Sequence, residues 1–336
     1  MKNLSDASVK DFQACRRLYH YRWRLGRVPL VDAEPLRFGR VWHAGLAGYW
    51  TARKDDKDPL DAAVEAIRST DEVEWMLVKA TVMAAAYATR WHDDGLRVLA
   101  VDERFEGPLV NPDTSQRSRS YQSVGVLDLV VEQEFGDRWR QLVVEHKSAS
   151  ASSDLDGDSG ARFWRRLRSD AQVSTYDLGN RVLGYECEGT IYDVARKPDL
   201  RPIPETPTHK RKYRKAATRE EKAWWWNDPR LLYASQRLRD ETIDEFRDRC
   251  AAVYADGDLG RWFGRTTIVR LEDERREFAR DQWAVAQEVR EDDKRAYHPR
   301  TPKSCEQHGD LCAYYEVCWG QQSLDDPTLF RNRRSS

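Results

Sequence analysis

The stretch Ser123–Ser150, SVGVLDLVVEQEFGDRWRQLVVEHKSAS, decides how this chain is read. Two runs rich in Val, Leu and Trp, Val124 to Glu132 and Arg138 to Lys147, flank Gly136-Asp137. Gly-Asp between such runs signals a β-hairpin with a tight turn. Pairing outward from that turn puts Asp128 opposite Glu145, with Cβ atoms about 5 Å apart. Side chains alternate across a strand, so Val126, Asp128 and Val130 share a face with Val143, Glu145 and Lys147, while His146 points the other way. Two carboxylates and an ammonium on an otherwise apolar face must compensate one another or hold a cation. A hard divalent ion such as Mg²⁺ suits the carboxylate pair. The competing account is a cross-strand salt bridge in a surface hairpin.

With 336 residues, 40% of them apolar, the chain can bury a substantial core, and a length prior allows about two domains. Charged residues make up 34% but nearly cancel, leaving a formal charge of −1, so any surface for nucleic acid is a local patch. The N-terminus MKNLSDASVKDFQAC lacks the apolar run of a signal peptide, and no window reaches the roughly 20 apolar residues that span a bilayer. Cytoplasmic location and no membrane partner are expected.

Along the chain, Leu4 to Gly26 reads as a helix with Ser5 or Ser8 as cap, followed by a basic and aromatic segment from Cys15. Leu36–Thr51 reads as a buried helix with His43 its only imidazole, by default a satisfied core histidine. Pro59–His92 is a helical stretch broken near Ser69–Asp71, Leu96–Phe105 a strand, Asn111–Ser120 a polar loop and Ala149–Gly160 a Ser, Asp and Gly loop. Trp164–Tyr185 reads as one helix that puts Gln172 and Tyr176 on one face, and Cys187–Arg196 as a strand. Strand, hairpin, helix, strand predicts a mixed sheet with helices packed on it.

The basic run KRKYRK at Lys210–Lys215 and the following AWWWNDP fit either a solvated arm or a phosphate-contacting patch with aromatic platforms for bases. Arg237–Tyr254 and Leu271–Arg295 read as charge-rich, solvated helices. In the tail, Cys305, Cys312 and Cys318 follow C-x6-C-x5-C spacing. Three thiolates need a fourth ligand, and Cys15, Cys187 and Cys250 are the remaining cysteines. Structural zinc usually shows tighter C-x2-4-C pairs, which favours an iron–sulfur cluster.

Together these residues resemble the RecB-type nucleases of the PD-(D/E)XK superfamily, in the iron–sulfur branch found in phage exonucleases, CRISPR-adaptation exonucleases and the AddB helicase-nuclease subunit. His43 looks like the family's upstream metal-binding histidine and Asp128 in GVLDLV like its motif aspartate. Glu145 and Lys147 match the E-x-K element, and Gln172 and Tyr176 match Q-x-x-x-Y. The branch splits its cluster cysteines, one before the core and three after, which singles out Cys15 with Cys305, Cys312 and Cys318; Cys187 and Cys250 fit no motif.

The resemblance implies an α/β restriction-endonuclease-like core, a central mixed sheet flanked by helices, over residues 36–200. Residues 1–35 would carry the first cluster cysteine, 201–298 a basic, aromatic and helical region, and 299–336 a cysteine-rich iron–sulfur tail, all closed into one unit by the cluster. It further implies a DNA exonuclease acting on single strands or DNA ends in recombination, replication, repair or CRISPR adaptation, with a helicase, recombination or CRISPR-adaptation protein as partner. Mg²⁺ or Mn²⁺ would be held by Asp128, Glu145, the main chain of His146 and His43, beside a 4Fe-4S staple. Lys147, Gln172 and Tyr176 complete the expected catalytic set. The alternative is a non-catalytic DNA-binding or adaptor protein on the same fold.

Overall fold

Gly136 adopts φ +66°, which the turn demands and a residue with a side chain resists. From it the hairpin zips in the expected register, Phe135 with Arg138 through Leu129 with Val144. The computed structural model describes residues 1–150, 153, 155, 157–212, 233, 236–307 and 310–333. Tyr213–Lys215 of the basic run, the AWWWNDP segment and part of the Ala149–Gly160 loop lie outside the described residues.

The chain opens with strand β1 (Lys2–Leu4) and helices α1 (Asp6–Ala14) and α2 (Arg16–Tyr19), continued by a π-helical turn to Arg24. Next come β2 (Arg27–Pro29), α3 (Glu34–Lys54), α4 (Pro59–Arg68), α5 (Glu74–Arg90), β3 (Leu96–Val110), β4 (Arg117–Phe135) and β5 (Arg138–Ala149). Then follow α6 (Gly157–Arg168), α7 (Ala171–Val182), β6 (Cys187–Arg196), α8 (Ile243–Ala252), β7 (Phe263–Ile268) and α9 (Glu272–Asp292). The tail carries the short strands β8 (Glu306–Gln307) and β9 (Asp310–Leu311), α10 (Tyr315–Cys318) and β10 (Phe330–Asn332). No described helix is long and apolar enough to cross a membrane.

Six strands form a mixed sheet in the order β1-β4-β5-β6-β7, with β3 also paired to β4. The β5–β6 pair is parallel, whereas β3–β4, β4–β5 and β6–β7 are antiparallel. Because β3 occupies one edge of β4 from Gln122 to Gln133, β1 at Tyr121–Ser123 and β5 from Leu129 onward share the opposite edge. Residues 124–128 of β4 therefore face a gap in that edge, and Asp128 stands at its rim. Beyond Val144, β5 leaves β4 and keeps only β6 as neighbour.

Helices cover both faces. On one, Trp42 and Trp50 of α3 and Tyr87 of α5 close over Leu129, Val131, Leu142 and Val144, all at most 1% exposed. Burying each such side chain contributes about 1.5–3 kcal/mol. On the other, Tyr176 of α7 packs with Phe105, Val130 and Val143. Phe105 wedges between strand and helix: a Cβ on Gly125 or Gly179 would come within 2.6 Å of its ring. Gly179→Ala is therefore expected to destabilise the protein by about 1–3 kcal/mol through overpacking, despite the better helix propensity of Ala. The denaturant midpoint should fall with an unchanged slope.

Several sequence expectations need correction. Lys2–Leu4 is a strand, added to the edge of β4 by parallel pairing. The first helix, started by a Ser5–Ser8 capping box, breaks at Cys15, whose backbone is extended at φ −161°, ψ 117°. Trp164–Tyr185 is two helices, because the Asp170 side chain accepts from the Gln172 N–H and starts α7 afresh. Arg117–Ser120 belongs to β4 rather than a loop, and the helix expected over Arg237–Tyr254 begins only at Ile243, after a Thr242–Glu245 capping box. Strand β7, with its Gly264 and Arg265, carries no alternating apolar signal.

Candidate active site

Glu145 and Lys147 leave β5 on the α7 side, next to the gap beside Asp128. Lys147 Nζ pairs with Glu145 Oε1 at 2.6 Å and donates to Gln172 Oε1 at 2.5 Å. Gln172 Nε2 donates to the Tyr176 hydroxyl at 2.5 Å, which donates in turn to Glu145 Oε2 at 2.5 Å. The circuit is closed, and it exists because Gln172 and Tyr176 are one helical turn apart over a strand that presents alternate residues.

Asp128 meets this circuit from β4. Its Oδ2 accepts from the His146 backbone N–H at 3.0 Å, replacing the strand partner that β5 loses there. His43, midway along α3, places Nδ1 3.5 Å from the same oxygen. Burial and the adjoining Glu145 push the Asp128 carboxyl well above the usual carboxylate range. Glu145 pays the same desolvation, yet Lys147 and then the Tyr176 hydrogen bond hold it below its usual range. Crowding by protein and the nearby His146 lower His43 to about 4, so at neutral pH it offers a lone pair, and 41% of its side chain stays accessible.

His146 points to the opposite face, as its place in the strand requires. Its Nδ1 lies 3.2 Å from Asp193 Oδ2, and its ring lies nearly parallel to that of Trp50. Asp193 also accepts from the Tyr87 hydroxyl and pairs with Arg265, which reaches Asp94 at 2.7 Å. Despite full burial, Arg265 and His146 keep Asp193 ionised. Tyr87, Asp193 and Arg265 are not among the residues that the sequence singles out. Their one signal there is a lone aspartate inside the apolar strand IYDVA, which must find a buried cation.

The cysteines divide. Ser304 Oγ donates to the Ala14 carbonyl at 2.8 Å, which joins the residues preceding Cys15 and Cys305, and Cys312 N–H donates to the Cys305 carbonyl at 2.8 Å. Burial raises the Cys312 thiol, and Cys318, Cys15 and Cys305 around it raise it further. Cys15, Cys305 and Cys318 are thus near enough to Cys312 to bear on its ionisation. Cys187 and Cys250 are buried elsewhere; burial pushes Cys187 up to about 12. As the side chains stand, no group of three or more His, Cys, Asp or Glu among the described residues is disposed to hold a metal ion. The carboxylate oxygens are engaged instead by Lys147, Tyr176 and the His146 N–H.

The family model described as the PD-(D/E)XK nuclease superfamily matches residues 3–319. No curated protein matches the chain.

Proposed function

The chain belongs to the PD-(D/E)XK nuclease superfamily, and from that premise we propose that it is a metal-dependent exonuclease that degrades single-stranded DNA. The observation that carries the reading is Asp128 against Glu145: two buried carboxylates in contact, one pushed towards its neutral form, with a lysine alongside. Such a pair fits a divalent cation, since only a cation lets both ionise together. Asp128, Glu145, the His146 carbonyl and His43 would hold Mg²⁺ or Mn²⁺. The ion would supply charge neutralisation at the scissile phosphate and a nucleophile at neutral pH.

Lys147, fixed between Glu145 and Gln172, orients the attacking water and offsets charge that develops on the phosphate. Tyr176 and Gln172 position Glu145 and Lys147 through the closed circuit and would position the scissile strand. Cys15, Cys305, Cys312 and Cys318 would hold an iron–sulfur cluster as a structural staple, a role supported by the mutual influence of their thiols and by the Ser304–Ala14 hydrogen bond that joins the two segments.

End-labelled single-stranded DNA should be shortened in Mg²⁺ or Mn²⁺ and survive in chelator, while circular single strands persist. Lys147→Ala should slow degradation about 10²–10³-fold. Circles cut as fast as linear strands would make the enzyme an endonuclease. Intact DNA under both metals would leave the non-catalytic DNA-binding reading.

A further inference from the structure

Helix α6 carries charge that the proposed chemistry does not use. Its apolar stripe, Phe163, Trp164 and Leu167, packs with Leu155 against Tyr192 and Val194 of β6, and Trp164 Nε1 donates to the Leu155 carbonyl at 3.1 Å. The helical period then turns Arg162, Arg165, Arg166 and Arg168 outward, and all four are exposed. Some exposed helical arginines elsewhere find acids: Arg40 pairs with Asp32, and Arg276 and Arg280 with Asp113. None of the four α6 arginines has a carboxylate partner among the described residues.

Like charges three and four residues apart on a helix are mutually unfavourable by about 0.2–0.5 kcal/mol per pair. A bound polyanion relieves that repulsion. The helix also lies beside the candidate site, on the same face of the sheet. Lys147 Nζ is 5.9 Å from the centroid of the Tyr192 ring on which α6 packs. From Arg168 the chain runs directly into Asp170, the cap of α7, and then Gln172. Beyond Arg165 and Arg168 the groove is bounded by Asp273, Glu274, Glu277 and Asp281 of α9 against one further cation, Arg270, a balance that repels phosphate. The favourable path for an anionic strand is therefore along α6 towards Lys147.

We propose that Arg162, Arg165, Arg166 and Arg168 form a phosphate track that grips the DNA backbone outside the scissile bond and leads it to the carboxylates. The direction of the track rests on the nuclease reading; the binding surface does not. The test uses the full chain, a fluorescent single-stranded oligonucleotide and chelator, with affinity measured across a salt series. Replacing all four arginines by Gln should flatten the slope of log K against log salt by roughly 2–3, about 0.7 for each phosphate no longer neutralised. Affinity at low salt should fall at least tenfold, each single Arg→Gln variant should lose a share, and the fourfold Arg→Lys variant should keep the wild-type slope. A Gln variant with wild-type slope and affinity overturns the proposal. So does a Lys variant as impaired as the Gln one, because charge is then not what binds. A protein that never cuts DNA, but whose slope falls as expected in the Gln variant, keeps the track and loses the nuclease reading.

Discussion

Asp128→Asn is expected to lower DNA hydrolysis by about 10⁴-fold while making the metal-free protein more stable. The two effects share a cause. Asp128 and Glu145 are buried side by side, so the metal-free fold bears the cost of a carboxyl held far from its preferred ionisation. An asparagine keeps the shape and still accepts the His146 N–H through its amide oxygen, but carries no charge to repel Glu145. Relieving the desolvation and mutual repulsion of two adjoining buried carboxyls is expected to return about 1–3 kcal/mol. The same change removes a hard anionic ligand from the proposed cation site, and with it several kcal/mol of charge stabilisation in the transition state. Melting curves with chelator and with Mg²⁺ separate the terms. Wild type should gain stability from Mg²⁺ by mass action and Asp128→Asn should gain little. A less stable metal-free Asp128→Asn protein would mean that the pair is a structural bridge, and the argument for a cation fails.

How much of this is legible in the sequence depends on how local the cause is. The hairpin register is readable because one glycine turn and two alternating runs fix it within 15 residues on either side. Glu145, Lys147, Gln172 and Tyr176 come together as their strand and helix periods require. The opening of the sheet at Asp128 is not readable: it depends on β1, more than a hundred residues upstream, taking the β4 edge before β5 can. The break at Asp170 is concealed because no Gly or Pro marks it, and one capping aspartate decides the matter. The Asp193–Arg265 pair escapes notice because its members lie on strands 67 residues apart at their nearest ends, with nothing in between to mark the pairing.

Cys312→Ala is expected to lose colour, iron and stability together. The tail already touches the N-terminal segment without any cluster: β10 pairs with β2, the Tyr314 hydroxyl donates to the Arg27 carbonyl at 2.7 Å, and Arg17 Nε donates to the His298 carbonyl at 2.9 Å. These contacts are polar and short, and they close a loop that takes in nearly the whole chain. Closing so long a loop in the unfolded ensemble is where a crosslink has its largest entropic leverage, about 4–5 kcal/mol in the chain-entropy account. Because the contacts that remain hold part of the tail in place, a loss of about 2–4 kcal/mol is the expected outcome, seen as a lower melting temperature and poorer solubility. Anaerobic preparations with iron and zinc counted per chain decide the ligand: iron with broad visible absorbance supports the cluster, zinc in a colourless protein gives a zinc staple. If Cys312→Ala melts as the wild type does and the wild type holds neither metal, the four thiols are only neighbours, and the tail is held by its strands and side-chain hydrogen bonds alone.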